Sequence, residues 1–299
     1  MKTLNLTDLD KSDIKYKISK FPSGQQNITI NKDDCYDSNY GYLLMTHKDC
    51  KVTIKSRLNN WLDLELISCS VASLRELGVE EIHLYVPFID GRQDNKFEEG
   101  SNYYIKSVLA PIINSLNFKS VTCIDSHSLV LDNCINNFKK IYNLELVHFA
   151  ITDMYKINEK ENFILVSPDA GATKKIYKLA EQIGYKGDII TCSKDRDVDG
   201  KLTKTVVPLE HKHLRKDFII VDDICDGGAT FINIAKKLKA SMQNDPHAGK
   251  IYLIVTHGIF SKGFSEISQY FDGIYTTNSY STIWDGNDAG KLVKQLNVF

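Results

Sequence analysis

Short apolar runs that end in Asp, Gly or Pro alternate along the chain with stretches in which apolar residues recur three and four positions apart. The first pattern is typical of buried strands and the second of amphipathic helices. Their alternation predicts an α/β fold in which crossover helices join parallel strands. The predicted strands include EIHLYVPF, VTCID, FILVSPD, GDIITCS, FIIVDD and IYLIVTHG, and a helix is predicted to open after the glycines that follow FIIVDD.

The length of the chain, 299 residues, allows one large α/β domain or two domains of about 150 residues each. No Pro- or Gly-rich linker separates the halves, but strand signals return at LELVHFA. We therefore expect a tandem pair of similar domains, 1–145 and 146–299, each a mainly parallel sheet flanked by helices.

Composition limits the class of partner and the compartment. The 37 Lys and Arg residues balance 38 Asp and Glu residues, which argues against a nucleic-acid or anionic-membrane surface and favours a small ionic metabolite. The 7 cysteines are odd in number and include no C-x-x-C pair, so we expect a reduced, cytoplasmic protein. The N-terminus lacks a signal peptide's apolar core, and no apolar run approaches the roughly 18 residues that span a bilayer.

The stretch FIIVDDICDGGATF, residues 218–231, is the strongest candidate for chemistry. A buried strand delivers Asp222 and Asp223 to its carboxyl end, where open α/β sheets bind ligands. Glycines permit close backbone approach, and the following helix offers N–H groups and a positive dipole end to an anion. We interpret the acids as acceptors for sugar hydroxyls beside a phosphate-binding turn. The predicted turn consists of Asp226, Gly227, Gly228, Ala229 and Thr230.

A purely structural interpretation is that the two aspartates are solvated residues at a strand end. That interpretation explains an isolated Asp-Asp pair better than it explains the whole strand, turn and helix motif. Cys225, inside the same stretch, has no base near it in sequence. We interpret it as a small apolar filler and not as a nucleophile.

Several segments resemble one enzyme family. FIIVDDICDGGATF is similar to the ribose 5-phosphate loop shared by ribose-phosphate pyrophosphokinases and type I phosphoribosyltransferases. LYVPFIDGRQD resembles the ATP segment of the pyrophosphokinases, CIDSHS their metal segment, LVSPDAGATKK their S-P-D-x-G-G segment, and TTNS their late T-N-S. These matches keep the family's order over most of the chain. The resemblance implies two tandem type I phosphoribosyltransferase-like domains.

The resemblance also implies a reaction, in which the anomeric hydroxyl of ribose 5-phosphate attacks the β-phosphorus of ATP to give phosphoribosyl pyrophosphate and AMP. Asp222 and Asp223 would hold the ribose hydroxyls, and residues 226–230 the 5-phosphate. The remaining implied roles are ATP binding by Phe21, Arg92, Gln93 and Asp94, Mg²⁺ binding by His127 and Asp169, and catalysis by Lys194 and Arg196. A homo-oligomer, a dimer or a hexamer, is implied as well.

Two of these assignments compete with simpler interpretations. A lone histidine such as His127 is more often structural, and KDRD around Lys194 and Arg196 is typical of a solvated charge run. The position of His127 in D-S-H at a predicted strand end favours a functional role. The terminal KLVKQLNVF is interpreted as a short helix and a strand that returns to the first domain, as in the family.

Two residues differ from the family pattern and leave the identity of the acceptor substrate open. Gly227 and Ala229 stand where family loops carry a Thr hydroxyl or an Arg, and such a loop also suits a 5-phosphate that continues into a larger group. ADP-ribose, pyrophosphorylated for NAD synthesis, is therefore a second candidate acceptor. A type I phosphoribosyltransferase is a competing hypothesis, but it would leave RQD and CIDSH unexplained. A non-catalytic regulatory homologue is another, but such a protein should have lost the catalytic charges.

Overall fold

The computed structural model describes residues 1–35, 50–90, 99–100, 102–155, 162–196, 202–243, 245–283 and 292–299. The chain divides into two units, Met1–Ile141 together with Phe299, and Tyr142–Val298. Each unit contains its own mainly parallel sheet with helices between the strands, so the predicted α/β class is confirmed. Within the described ranges, no helix combines the length and the apolar composition that crossing a membrane requires.

The N-terminal unit contains a five-stranded parallel sheet and a separate antiparallel hairpin. Its elements are β1 (Lys2–Asn5), β2 (Tyr16–Lys20), β3 (Gln26–Ile30), β4 (Lys51–Lys55), α1 (Trp61–Glu76), β5 (Glu81–Tyr85), α2 (Ala110–Ser115), β6 (Ser120–Ile124), α3 (Leu129–Cys134) and β7 (Phe138–Ile141). The sheet has the order β1-β4-β5-β6-β7, and β2 and β3 form the hairpin. Aliphatic side chains of the sheet and of α1 form the core.

Local sequence signals account for the helix ends in this unit. The Asn60 side chain accepts hydrogen bonds from the N–H groups of Leu62 and Asp63, which caps α1 at its N-terminus. Gly78 follows the helix with φ of 84°, the left-handed conformation that commonly ends a helix. Pro111 lies in the first turn of α2, after a π-helical turn, because proline is tolerated only where no helical N–H bond is required.

The C-terminal unit contains a six-stranded parallel sheet and a separate two-stranded antiparallel ribbon. Its elements are α4 (Leu144–Met154), β8 (Phe163–Ser167), α5 (Ala170–Gln182), β9 (Ile189–Thr191), β10 (Ser193–Arg196), β11 (Leu202–Val206), β12 (Asp217–Cys225), α6 (Ala229–Met242), β13 (Ile251–Gly258), β14 (Gly273–Thr277) and β15 (Val293–Leu296). The sheet has the order β15-β14-β13-β12-β8-β9. The ribbon consists of β10 and β11.

Two expectations differ from the structure. LELVHFA does not begin a strand but forms most of α4, whose buried Leu146, Val147 and Ala150 lie on one helical face. A short apolar run cannot by itself distinguish a strand from a buried helix. The terminal strand β15 pairs with β14 in the C-terminal sheet and does not return to the first domain. Phe299 alone groups with the N-terminal unit, where its ring lies edge-on to Tyr85 at 6.3 Å.

Adjacent positions of α5 provide a test of how the C-terminal core contributes to stability. Ile176 is 2% exposed and packs in the core, whereas Tyr177 is 56% exposed. We expect Ile176→Ala to lower the free energy of unfolding by about 2–4 kcal/mol, because it leaves a cavity. Tyr177→Ala, the matched control, should cost less than about 1 kcal/mol. Urea unfolding followed by circular dichroism measures both, and equal losses would contradict the packing.

Candidate active site

The carboxyl end of β12 carries the two predicted acids. β12 pairs with β13 as far as Cys225, but with β8 only as far as Ile220. The strand therefore projects beyond β8, and Asp222 and Asp223 occupy this projecting end. Asp223 is 5% exposed and Asp222 is partly buried. The structure thus locates both acids where a parallel sheet binds ligands.

The turn after β12 leads directly into a helix. Gly228 adopts φ of 77°, a left-handed conformation that favours glycine, and occupies the N-cap position of α6. Because Gly228 has no side chain, it supplies no capping acceptor to the first turn of α6. The N–H groups and the positive dipole end at this terminus suit an anion.

Cys225 lies at the base of this turn and is fully buried. Burial, and secondarily the nearby carboxyls of Asp222 and Asp226, raise the pKa of its thiol. A nucleophilic cysteine needs a lowered thiol pKa, because the thiolate is the reactive form. The environment therefore agrees with the interpretation of Cys225 as an apolar filler.

Asp169 is held at the N-terminus of α5. Its Oδ1 accepts the N–H of Ala172 at 3.0 Å, and its Oδ2 accepts a hydrogen bond from Lys194 Nζ. The Ser167 hydroxyl donates to the Asp169 carbonyl at 2.8 Å, which fixes the backbone of the turn. Partial burial disfavours the charged form, but the bonds from Lys194 and Ala172 outweigh it and lower the pKa of Asp169. The carboxylate therefore stays ionised and is suited to hold a cation.

A second ion pair involves a lysine that sequence reasoning missed. Lys175 Nζ of α5 donates to Oδ2 of Asp223. The residue lies in the LVSPDAGATKK segment, but nothing in the linear pattern indicates that α5 brings its first turns against the end of β12. Two lysines thus face the predicted carboxylates within the C-terminal unit, Lys175 at Asp223 and Lys194 at Asp169.

Asp222 has the least favourable electrostatic environment of these acids. Burial is the largest cause and repulsion from Asp223 the next, and together they raise the pKa of Asp222 well above its usual value. A bond from the Asp223 N–H to Asp222 Oδ1, 2.9 Å long, opposes this effect. A strongly perturbed carboxyl at a sheet end is typical of a functional site.

The predicted catalytic segment forms the ribbon of β10 and β11. Lys194 lies opposite Thr205 in the backbone register, and Arg196 lies opposite Leu202 after an irregularity. The side chain of Arg196 lies outside the described part of the structure. The Lys194 ammonium reaches Asp169, so this residue joins the site of the C-terminal unit.

The remaining predicted residues belong to the N-terminal unit or lie outside the described ranges. His127 is exposed, three residues beyond the end of β6, and Phe21 is 52% exposed at the tip of the β2–β3 hairpin. His127 and Asp169 lie in different units. Among the described residues, no group of three or more His, Cys, Asp or Glu side chains could hold a metal ion. Arg92, Gln93 and Asp94 lie outside the described residues.

Comparisons with known proteins identify relatives of the whole chain. The chain is 30% identical over 247 residues to the ribose-phosphate pyrophosphokinase of Mycoplasmopsis pulmonis, covering 80% of this chain and 70% of that protein. It is 25% identical over 275 residues to the ribose-phosphate pyrophosphokinase of Pyrococcus abyssi, covering 90% and 85% respectively. No protein-family model matches the chain.

A solved structure shares the fold. The phosphoribosylpyrophosphate synthetase of Mycobacterium smegmatis superposes with a TM-score of 0.75, covering 100% of this chain and 95% of that one, at 15% sequence identity. At this identity the likeness shows that the two proteins share an α/β fold.

The raised pKa of Asp222 gives a pH-dependent prediction. A carboxyl with a raised folded-state pKa costs no stability below its unfolded value near 3.9, and the cost grows as pH rises through the folded value. Asp222→Asn removes this cost, so we expect its melting temperature at pH 7 to exceed the wild-type value by about 2 °C or more. The gain should shrink toward pH 4, as measured by calorimetry without ligand.

The matched control is Glu181→Gln, which removes one exposed negative charge from α5 of the same unit. Its melting temperature should change by less than about 1 °C. A lower melting temperature for Asp222→Asn than for Glu181→Gln at pH 7 would mean that the Asp222 carboxylate is stabilised, contrary to the raised pKa.

Proposed function

The chain belongs to the ribose-phosphate pyrophosphokinase family, and from that membership we propose that it transfers the diphosphate group of ATP to the anomeric hydroxyl of ribose 5-phosphate. The products are phosphoribosyl pyrophosphate and AMP. One observation carries the proposal: Asp222 and Asp223 stand at the projecting end of β12, and the left-handed Gly228 and the N-terminus of α6 follow directly. A sugar diol and its attached phosphate match these two neighbouring features.

The acids and the turn would bind the acceptor. Carboxylates accept several hydrogen bonds, so Asp222 and Asp223 can receive ribose hydroxyls in addition to the bonds they already accept. Lys175 orients Asp223 and balances its charge. Residues 226–230 would hold the 5-phosphate with backbone N–H groups, which suit an anion at a helix N-terminus.

The proposed binding of ATP, the diphosphate donor, is supported by membership of the family. Phe21, Arg92, Gln93 and Asp94 would bind ATP, and the 52% exposure of Phe21 leaves its ring available for stacking on a base. Arg92 offers a planar fork of donors that matches phosphate oxygens. The proposed assembly is a homo-oligomer, a dimer or a hexamer, in the cytoplasm.

Mg²⁺ would be held by Asp169 and His127, together with substrate phosphates. Asp169 fits a hard cation, because its carboxylate is ionised and already pairs with the ammonium of Lys194. His127 is a less usual magnesium ligand. When bound, the ion would neutralise charge on the phosphate oxygens.

Positioning of the substrates and stabilisation of their charge would account for most of the rate enhancement, because phosphoryl-type transfer requires little covalent chemistry from the protein. Lys194 and Arg196 would donate to the transferring diphosphate. The bond to Asp169 keeps the Lys194 ammonium at the end of the sheet, beside the acids that would hold the acceptor. Asp222, Asp223 and Lys175 would orient the sugar so that its anomeric hydroxyl faces the donor.

ADP-ribose is a second candidate acceptor, favoured by the small residues of the turn. Gly227 and Ala229 add no donor or bulk beyond the backbone, and Ala229 is exposed. A 5-phosphate that continues into a diphosphate could leave the turn at this position. The product would then be ADP-ribose pyrophosphate.

An acceptor assay tests the reaction. The protein is incubated with ATP and Mg²⁺ plus ribose 5-phosphate, ADP-ribose or no acceptor, and the products are identified by mass spectrometry. We expect AMP and phosphoribosyl pyrophosphate in the first mixture. AMP with the second acceptor alone would assign ADP-ribose. A lack of AMP in every mixture would exclude the pyrophosphokinase and favour a phosphoribosyltransferase or a non-catalytic homologue.

Replacement of the proposed catalytic cations tests their role. We expect Lys194→Ala and Arg196→Ala each to lower kcat by about 10²-fold or more, as for other donors aimed at developing charge. The control is Lys186→Ala, which removes an exposed lysine of the same unit and should keep wild-type turnover. Circular dichroism checks folding. Near-wild-type turnover in both catalytic variants would refute the assignment.

A further inference from the structure

The loop that follows β13 is hydrogen-bonded to the end of β12. The N–H groups of Ile259 and Phe260 both donate to the Cys225 carbonyl, at 2.8 and 3.2 Å. Cys225 is the last residue of β12 and immediately precedes the proposed phosphate-binding turn. The chain after β13 is therefore held beside that turn by two backbone hydrogen bonds.

Side-chain packing fixes the same loop further. Phe260 adopts φ of 49° and is buried, with its ring 4.8 Å from that of Phe264. A Cβ on Gly258 would lie 2.2 Å from the Phe260 ring, so only glycine admits this close approach. The Gly263 N–H then donates to the Phe260 carbonyl at 2.8 Å and closes a turn. Lys262 lies inside this turn, so these contacts fix its backbone beside the end of β12.

The Lys262 side chain packs along the proposed phosphate-binding turn. A Cβ on Gly227 would lie 3.3, 3.4 and 3.6 Å from Cε, Cδ and Cγ of Lys262. The absence of a side chain at residue 227 therefore leaves room for the lysine stem. A C–N bond is about 1.45 Å, which keeps the ammonium within about 5 Å of that point. Lys262 is exposed, and among the described residues no carboxylate pairs with it within 4.0 Å.

We propose that Lys262 binds the phosphate on C5 of the acceptor sugar and supplies the charge that residues 227 and 229 lack. The inference rests on the proposed function, since it assigns a ligand group to the same turn. Among the side chains that the structure describes at this site, Lys175 and Lys194 are already paired with Asp223 and Asp169. An ammonium beside backbone N–H groups favours a phosphate over a neutral group. Residue 227 thus has no side-chain donor, and we assign that role to Lys262, which reaches the turn from the loop after β13.

The test compares Lys262→Met with Lys237→Met and Lys262→Arg. Methionine keeps an unbranched apolar stem but removes the charge. Lys237 is an exposed lysine of α6, eight residues beyond Ala229 and therefore about 12 Å along the helix. Initial rates with ATP, Mg²⁺ and varied ribose 5-phosphate give KM and kcat for each. Calorimetric titration with ribose 5-phosphate, without ATP, gives Kd directly.

For Lys262→Met we expect KM and Kd for ribose 5-phosphate to rise about tenfold or more, because a charge-assisted hydrogen bond is lost. The KM for ATP should not change, and kcat should stay within about threefold, since this contact is made equally in the ground and transition states. Lys262→Arg should restore most of the affinity, and Lys237→Met should match the wild type.

The outcomes separate this inference from the function on which it rests. If the wild-type enzyme forms AMP but Lys262→Met binds ribose 5-phosphate as tightly as Lys237→Met, the inference is overturned and the function stands. If the wild-type enzyme forms no AMP, the proposed function fails, and the calorimetric comparison still decides the role of the lysine. An absence of ribose 5-phosphate binding to the wild type overturns the inference.

Discussion

Parallel pairing of β12 on both of its sides is the constraint on which the C-terminal unit depends. Four consecutive buried apolar residues can satisfy their backbone groups only inside a sheet, and β8 and β13 provide those partners. Because β8 stops earlier, the polar residues that follow the apolar run project beyond it. The placement of Asp222 and Asp223 at a ligand-binding edge is therefore a consequence of where the apolar run ends.

The charges at this edge are balanced by neighbours that approach from other elements. Lys175 comes from α5 and Lys194 from the β10–β11 ribbon, and each pairs with one carboxylate. Asp222 keeps an unfavourable environment, since burial and Asp223 both oppose its ionisation. An acid whose ionised form is disfavoured in the folded protein lowers the free energy of unfolding when no ligand is bound, compared with an apolar residue at the same edge. If the proposed function is correct, that cost is a requirement of binding a sugar diol with paired acids.

Short apolar runs were sufficient to predict most strands and the α/β class. LELVHFA was predicted as a strand but is helical, because seven residues with few polar positions fit either period. The terminal strand was assigned to the other domain because pairing partners are not encoded locally. In the site, the glycine turn and both acids were evident from one continuous segment, whereas Lys175 and Lys262 were not.

The sequence by itself determined the order of elements, the position of the acids at a strand end and the glycine turn before α6, because each depends on residues adjacent in the chain. Only the tertiary structure decided which cations meet which carboxylates and that Lys262 lies along Gly227. Those contacts join residues tens of positions apart. Their geometry depends on strand order, register and the turn after β13, which are set by packing over the whole sheet and not by any local pattern.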